Sequence, residues 1–161
     1  MRSFVSAFVG LALIGAAGSS FAAQLADRKA LTLEVAKQMA AAAEAEAVKN
    51  KWTVAIAIVD DGGNLIYLEK IDETQFGSIN VAIGKAKTAV SFKRPTKAME
   101  DAIAGGRNAL LSLGQLTLEG GVPIVFDGKV IGAIGVSGVK SDQDAQVAKA
   151  GADALAGIVA K

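Results

Sequence analysis

Residues 132–151, GAIGVSGVKSDQDAQVAKAG, decide the fold that this sequence predicts. An apolar strand from Gly132 to Val136 turns at Ser137-Gly138 and leads into a helix that Ser141 opens. Ser141, followed three positions later by Asp144, resembles a capping box, in which side chains bind the free N–H groups at a helix start. The segment is therefore a strand–turn–helix corner that brings a hydroxyl, backbone N–H groups and carboxylates together.

Two hairpins are predicted, and the second contains this strand. Residues Thr53 to Asp60 (TVAIAIVD) are apolar and β-branched, which is typical of a buried strand. Glycine and asparagine then turn the chain into a returning strand from Leu65 to Lys70. The strand from Pro123 to Phe126, the turn at Asp127-Gly128 and the strand from Val130 to Val136 form the second hairpin.

Helices are predicted around the hairpins. Apolar residues recur at helical spacing over 25–49 and 76–92, and Thr96 is a plausible N-cap for a short helix over 97–104. A terminal helix runs from Asp142 to about residue 160, and residues 107–119 fit neither period. The order predicts an α+β fold, an antiparallel β-sheet built from two hairpins and flanked by α-helices, in one domain.

Residues 1–22 have the pattern of a secretory signal peptide. Arg2 gives a positive start, residues 4–17 are apolar, and Ser20-Phe21-Ala22 supplies small residues at the cleavage site. The alternative is a retained membrane anchor, but glycines interrupt the apolar run, which is short for a span of about 20 residues. We therefore expect a single domain over 23–161, periplasmic or secreted, with no membrane insertion after cleavage.

Charge and composition exclude several classes of function. The chain has 17 Lys and Arg against 16 Asp and Glu, and loss of Arg2 with the signal leaves no net charge. This balance argues against nucleic acid or an anionic membrane surface as the main partner. The chain has no histidine and no cysteine, which excludes His-containing triads, His-ligated zinc or haem, and thiolate metal sites.

A cationic segment rich in hydroxyl groups surrounds the end of the second helix. Cations near a helix C-terminus are favoured by the helix dipole, which gives a purely structural interpretation. The functional interpretation is a rim that binds the carboxylates of a ligand. The basic residues are Lys85, Lys87, Lys93, Arg94 and Lys97, and Thr88, Ser91 and Thr96 lie among them.

Two further features have weaker chemical meaning. Gly132, Gly135 and Gly138 are spaced by three, which is not the GxGxxG spacing of a dinucleotide loop, so we do not predict a nucleotide site. Tyr67 is the one phenol in the chain that could bind ferric iron, and it could equally be an ordinary half-buried strand residue. Met39 and Met99 are alternative metal ligands on helices.

A combination of motifs spread over nearly all of residues 23–161 resembles the GlcG/HbpS-like family, also called the haem-degrading or PduO C-terminal-like domain. The matching pieces are Ala57-Ile58-Val59-Asp60 with Gly63 and Leu65, Asp72, Lys85-Ala86-Lys87-Thr88-Ala89, Arg94-Pro95-Thr96, Gly120-Gly121-Val122-Pro123-Ile124, Gly132-Ala133-Ile134-Gly135-Val136-Ser137-Gly138, Gln143-Asp144, and 148–151.

The resemblance implies an antiparallel sheet flanked by helices in a profilin/PAS-like layout, assembly into homo-oligomers, and binding of a small ligand, with haem the best-known ligand of secreted members. Without histidine, haem would need an axial oxygen, sulfur or amine ligand, or would bind without strong ligation. The motif match implies these pocket residues: Lys87, Thr88, Arg94, Thr96, Gly121, Val122, Ser137 and Asp144.

Three hypotheses of function follow. The first is an exported small-ligand-binding protein for haem or a related tetrapyrrole, with Lys87 and Arg94 holding the propionates and apolar hairpin and helix faces covering the ring. The second is an enzyme acting on a small carboxylic or hydroxy acid, with Arg94 holding the carboxylate and Asp144 or Lys87 transferring a proton. The third is an oligomeric accessory partner of a membrane sensor.

Overall fold

The computed structural model describes residues 23–159, and the segment predicted as a signal peptide lies outside them. Within the described range no helix has the length and apolar character needed to cross a membrane. The elements in chain order are α1 (Leu33–Lys49), β1 (Ala55–Asp60), β2 (Leu65–Lys70), α2 (Gly77–Phe92), α3 (Lys97–Ala104), a 3₁₀ helix (Asn108–Leu113), β3 (Gly121–Phe126), β4 (Lys129–Ser137), α4 (Ser141–Asp153) and α5 (Leu155–Ile158).

The four strands form one antiparallel sheet in the order β2-β1-β4-β3. Each predicted hairpin is present, and the two hairpins join through pairing of β1 with β4, from Ala55 opposite Ser137 to Asp60 opposite Gly132. Helices flank both faces of the sheet. The predicted α+β fold with two hairpins is therefore confirmed.

The two faces of the sheet are packed in different ways. On one face, isoleucines of β1 and β4 such as Ile58 and Ile134 pack with Met39 of α1 and Val147 of α4 in the main hydrophobic core. On the other face α2 lies against alanine and glycine. A Cβ atom on Gly135 would lie 2.1 Å from the carbonyl oxygen of Ala82, so the backbones of β4 and α2 touch. Small residues thus set a close α2–sheet distance.

Asp60 organises the turn of the first hairpin. Its Oδ1 atom accepts hydrogen bonds from the backbone N–H groups of Asn64 at 2.7 Å and Gly62 at 2.9 Å. These bonds favour the ionised carboxylate and hold the pKa of Asp60 below its usual value. The turn that glycine and asparagine predicted is therefore closed by the carboxylate of Asp60, which accepts backbone hydrogen bonds.

We expect the Asp60→Asn variant to lose stability at neutral pH by about 1 kcal/mol, the order of a partly exposed hydrogen bond to a charged group. Because the pKa is lowered in the folded state, the stabilisation is present above the unfolded-state pKa and is lost as the pH falls through the folded-state value. Urea unfolding at several pH values should show the difference from the unmodified protein shrinking with acidification. Asp72→Asn, at an exposed site, is the control, and a pH-independent difference would contradict the assignment.

Several predicted boundaries were wrong. The first helix begins at Leu33 and not at residue 25, because Thr32 is its N-cap and accepts the N–H of Val35 at 3.2 Å. The terminal helix is interrupted after Asp153. Residues 107–119, which fit neither period in the sequence, contain the 3₁₀ helix Asn108–Leu113. Thr96 precedes α3 but makes no side-chain cap, since its hydroxyl bonds to β3 instead.

The predicted capping box at Ser141 was also wrong. The N-cap position of α4 is Lys140, and its backbone N–H donates to Oε1 of Gln143 at 3.2 Å. The carboxylate of Asp144 points into the protein, as described below. The corner that opened the sequence analysis therefore uses Gln143 for the cap and leaves Asp144 for a different role.

Strand β3 lies at one edge of the sheet. The N–H of Gly121 donates to the hydroxyl of Thr96 at 2.9 Å, and its carbonyl accepts the N–H of Thr96 at 3.0 Å. The polar backbone groups of Gly121 therefore point away from β4, and by alternation those of Pro123 do as well. The pairing with β4 shifts between Ile124 and Val125, which indicates a bulge.

Candidate functional site

A buried ion pair links α2 to the start of α4. Nζ of Lys85 donates to Oδ2 of Asp144 at 2.7 Å and to the carbonyl of Val136 at 3.0 Å. Asp144 also accepts the N–H of Val139 at 3.2 Å. Lys85 is only 1% exposed and Asp144 2%, so the pair is out of solvent and fully enclosed by protein.

Two glycines make room for this pair. Gly120 has φ +123°, a conformation that side chains rarely adopt, and a Cβ there would lie 2.8 Å from Nζ of Lys85. A Cβ on Gly121 would lie 2.3 Å from the carbonyl oxygen of Lys85. The Gly120 carbonyl also accepts the N–H of Val136 at 2.9 Å. The Gly120-Gly121 backbone thus lies directly over the ion pair.

The environment of Asp144 indicates a structural role. Burial raises the pKa of its carboxyl, while the Lys85 ammonium and the Val139 N–H oppose that shift. A raised pKa at a buried carboxyl suits proton transfer, but only if a substrate can reach it. Neither Asp144 nor Lys85 lines any of the four cavities described below. The pair joins α2, β4 and α4 rather than facing a ligand.

An apolar trough lies between β3 and the C-terminal helices. Its larger part has a volume of about 430 Å³, within the range of small-molecule sites. A second part, of about 220 Å³, shares Phe126, Leu155 and Val159 with the first. Val125 on its wall is 52% exposed. The apolar trough is the surface formed by Leu31, Val122, Pro123, Val125, Phe126, Leu155 and Val159.

One end of the trough adjoins a basic cleft of about 640 Å³, and the two share Lys29 and Ile131. The cleft lies where both hairpin turns meet the end of α2. We define the basic cleft by its charged residues, which are Arg28, Lys29, Lys93 and Lys129 with the two carboxylates Asp27 and Asp61. Arg28 pairs with Asp61 at 2.8 Å. The remaining charges leave the cleft with a net positive charge.

A fourth cavity, of about 270 Å³, adjoins the other end of the trough, with which it shares Val122 and Asp153. Its charged wall contains Lys97, Lys149 and Glu119. Lys97 and Lys149 form ion pairs with the aspartates four residues later, Asp101 and Asp153 respectively. These cations are therefore already paired, unlike the lysines of the basic cleft.

The structure brings half of the predicted pocket residues together. Asp144 is one member of the buried ion pair, Gly121 and its hydrogen-bond partner Thr96 lie beside the pair, and Ser137 follows Val136, whose carbonyl accepts from Lys85. Val122 lies on the wall of the trough. The other three lie elsewhere and line none of the four cavities. Lys87 is exposed on α2, the hydroxyl of Thr88 donates to the carbonyl of Gly84 in its own helix, and Nε of Arg94 donates to the carbonyl of Phe92.

The arrangement does not assemble the groups of the small-acid enzyme hypothesis, because Asp144 is enclosed while Arg94 and Lys87 are exposed. Sequence reasoning placed Lys85 in the cationic rim and missed its buried pairing. It also missed most of the basic cleft. The signal for Lys85 was its position between Ala82 and Ala89 on the small-residue face of α2, where a charge requires a partner.

Tyr67, the predicted phenolate ligand, lies on β2 at the sheet edge opposite β3. Its hydroxyl donates to Oε2 of Glu69 at 3.0 Å, and this bond raises the pKa of the Tyr67 phenol. No group of three or more acidic residues that could hold a metal ion occurs among residues 23–159. Metal binding at Tyr67 remains a prediction, and its position is remote from the trough.

Sequence comparison identifies the family. The family described as haem degrading protein HbpS-like matches residues 31–153. The chain belongs to this HbpS-like family. The resemblance inferred from the motifs is therefore confirmed. The match covers all four strands and every helix except the short α5.

Relatives in the HbpS-like family include proteins of known structure. The chain is 46% identical to protein GlcG of Escherichia coli K12 over 108 residues, which are 66% of this chain and 81% of GlcG. A crystal structure of a double mutant of Streptomyces reticuli HbpS is 36% identical with a TM-score of 0.75, covering 86% of this chain and 98% of that one. The crystal structure of a PduOC complex with haem is 28% identical with a TM-score of 0.71, covering 78% and 95%.

Proposed function

We propose that this protein binds haem or a related tetrapyrrole in the apolar trough, and that it does so outside the cytoplasm after removal of residues 1–22. The observation that carries the proposal is that the apolar trough adjoins the basic cleft, with Lys29 and Ile131 lining both. A tetrapyrrole has an apolar ring with propionate carboxylates on one edge. The ring therefore matches the apolar trough, and the carboxylates match the basic cleft. Membership of the family described as haem degrading protein HbpS-like, and structural similarity to the PduOC complex with haem, support this choice.

The chemistry of the trough fits the ring. Aliphatic and aromatic side chains from β3 and α5 line it, and Val125 on β3 is half exposed. Burying such surface under a ligand contributes roughly 25 cal/mol per Å² of apolar area. Lysines of the basic cleft stand where the trough opens, so they would meet the propionates. This assignment replaces Lys87 and Arg94 with Lys93 and Lys129 as the carboxylate-binding residues.

Titration with hemin tests the proposal. Protein comprising residues 23–161 should give a shifted, saturable Soret band. The Val125→Glu variant should weaken binding by about tenfold or more, because it places a charge on the wall of the trough. Val48→Glu is the matched control, since Val48 is 59% exposed on α1 and lines none of the four cavities described above. Absorbance of free hemin throughout the titration, or equal loss in both variants, would refute the assignment.

A further inference from the structure

We infer that the apolar trough and the basic cleft together select a tetrapyrrole by its ring and its propionate carboxylates, and that the metal contributes little to binding. This inference rests on the proposed function, because it concerns the same site. It widens the ligand class from haem to iron-free porphyrins and other porphyrins with two free carboxylates. It follows from the ammonium groups that the site presents to carboxylates and from the lack of a strong axial ligand for iron among its side chains.

The side chains around the site offer no strong axial ligand to iron. The whole chain has neither histidine nor cysteine. None of the residues that line the trough or the cleft is a methionine or a tyrosine. Met39 and Met99 are buried in the protein, and Tyr67 lies at the opposite edge of the sheet. The lysine ammonium groups are donors with no free lone pair for a metal.

Carboxylates are the remaining candidates, and two of the four that line the trough or the cleft are occupied. Asp27 of the cleft is exposed to water. Asp61 accepts a hydrogen bond from Arg28, and Asp153 accepts one from Lys149. Asp127, in the turn between β3 and β4, is the carboxylate on the trough wall without an ion pair among the described residues. It is exposed, so any bond it made to iron would compete with water. Iron ligation is therefore a minor source of affinity.

In place of iron ligation, the lysines of the basic cleft would recognise the carboxylates of the ligand. Lys29, Lys93 and Lys129 take part in none of the ion pairs within the described residues. They converge from three separate parts of the chain on a floor made of Val90, Val130 and Ile131. The α2 carbonyls and Asp27 reduce the positive field at this end, but the cations still outnumber the carboxylates. Such a surface favours a ligand with two negative groups over one with none.

The test compares three ligands: hemin, iron-free protoporphyrin IX, and the dimethyl ester of protoporphyrin IX. Absorbance follows hemin, and porphyrin fluorescence follows the other two. We expect protoporphyrin IX to bind within about threefold of hemin, and the ester to bind at least about tenfold more weakly. Asp127→Asn should change hemin affinity by less than about threefold. Asparagine tolerates the positive φ of 48° at this position.

Lysine variants separate the carboxylate contacts from general charge. Lys93→Gln with Lys129→Gln should weaken hemin and protoporphyrin IX by about tenfold or more and leave the ester unchanged. The control removes the same charge remotely, with Lys51→Gln and Lys37→Gln. Lys51 matches Lys93 closely, since their φ angles are 59° and 51°. The control should bind all three ligands as the unmodified protein does.

The outcomes distinguish this inference from the proposed function. If hemin binds and protoporphyrin IX does not, iron ligation carries the affinity, so the inference is wrong while the proposed function stands. The inference is also wrong, and the proposed function still stands, if the ester binds as well as the free acid or if the double lysine variant and its control behave alike. If none of the three ligands binds, both the inference and the proposed function fail.

Discussion

Replacing Lys85 with methionine should destabilise the protein by about 3–5 kcal/mol, the range observed when one partner of a buried ion pair is removed. The substitution retains most of the side-chain volume but leaves Asp144 enclosed without its ammonium partner. The carbonyl of Val136 loses its side-chain donor as well. Urea unfolding followed by the fluorescence of Trp52, the one tryptophan of the chain, measures the loss.

Two further variants show whether the charge is responsible. Adding Asp144→Asn to Lys85→Met removes the uncompensated carboxylate and still offers an acceptor to the N–H of Val139, so the double variant should be more stable than Lys85→Met alone. Lys97→Met breaks an exposed ion pair with Asp101 and should cost far less stability than Lys85→Met, because water screens exposed pairs. Equal losses for Lys85→Met and Lys97→Met would show that the buried pair has no special role.

Gly135→Ala should be nearly as damaging, with an expected loss of about 3 kcal/mol, at the upper end for overpacking in a core. The new Cβ would lie 2.1 Å from the carbonyl oxygen of Ala82 and 2.5 Å from the nitrogen of Ala86. Both atoms belong to the backbone of α2 and cannot rotate away. The helix must therefore separate from the sheet, which also disturbs the position of Lys85 between them.

The control for this variant is Gly77→Ala at the start of α2. No heavy atom lies within 4 Å of a Cβ built there, and alanine favours helix over glycine by up to about 1 kcal/mol. Thermal or urea unfolding should give changes of opposite sign for the two substitutions. If Gly135→Ala unfolds at the same urea concentration as the unmodified protein, the close α2–sheet contact is not as described.

The sequence could predict the elements whose ends are decided by local chemistry. The strand from Leu65 to Lys70 and the helix over 97–104 have the predicted bounds, because a turn precedes the strand and Gly105 ends the helix. The helix predicted from residue 25 begins eight residues later, at Leu33. A distant contact contributes to this difference: the side chain of Leu31 lies over Gly132, where a Cβ would be 2.4 Å from its Cδ1. The spacing of apolar residues in the sequence does not reveal such a contact.

The candidate site shows the same limit more clearly. Asp144 satisfies the local pattern of a capping residue, but its real partner, Lys85, is 59 residues away in sequence. The cationic rim was predicted from neighbours in sequence, whereas the basic cleft takes Lys29, Lys93 and Lys129 from three segments. Family motifs identified Gly121 and Val122 without revealing that one covers an ion pair and the other lines a trough. Their roles depend on the sheet order, which adjacent residues do not encode.

Pro123 has a consequence for how copies of this protein can associate. The outer edge of β3 already bonds to Thr96 at one end, and the next outward-facing residue has no N–H to offer. The bulge after Ile124 then breaks the flat edge that an added strand would follow. A continuous intermolecular β-sheet cannot grow from this side. The apolar trough beside β3 is thus exposed without this edge of the sheet offering a template for fibrillar aggregation.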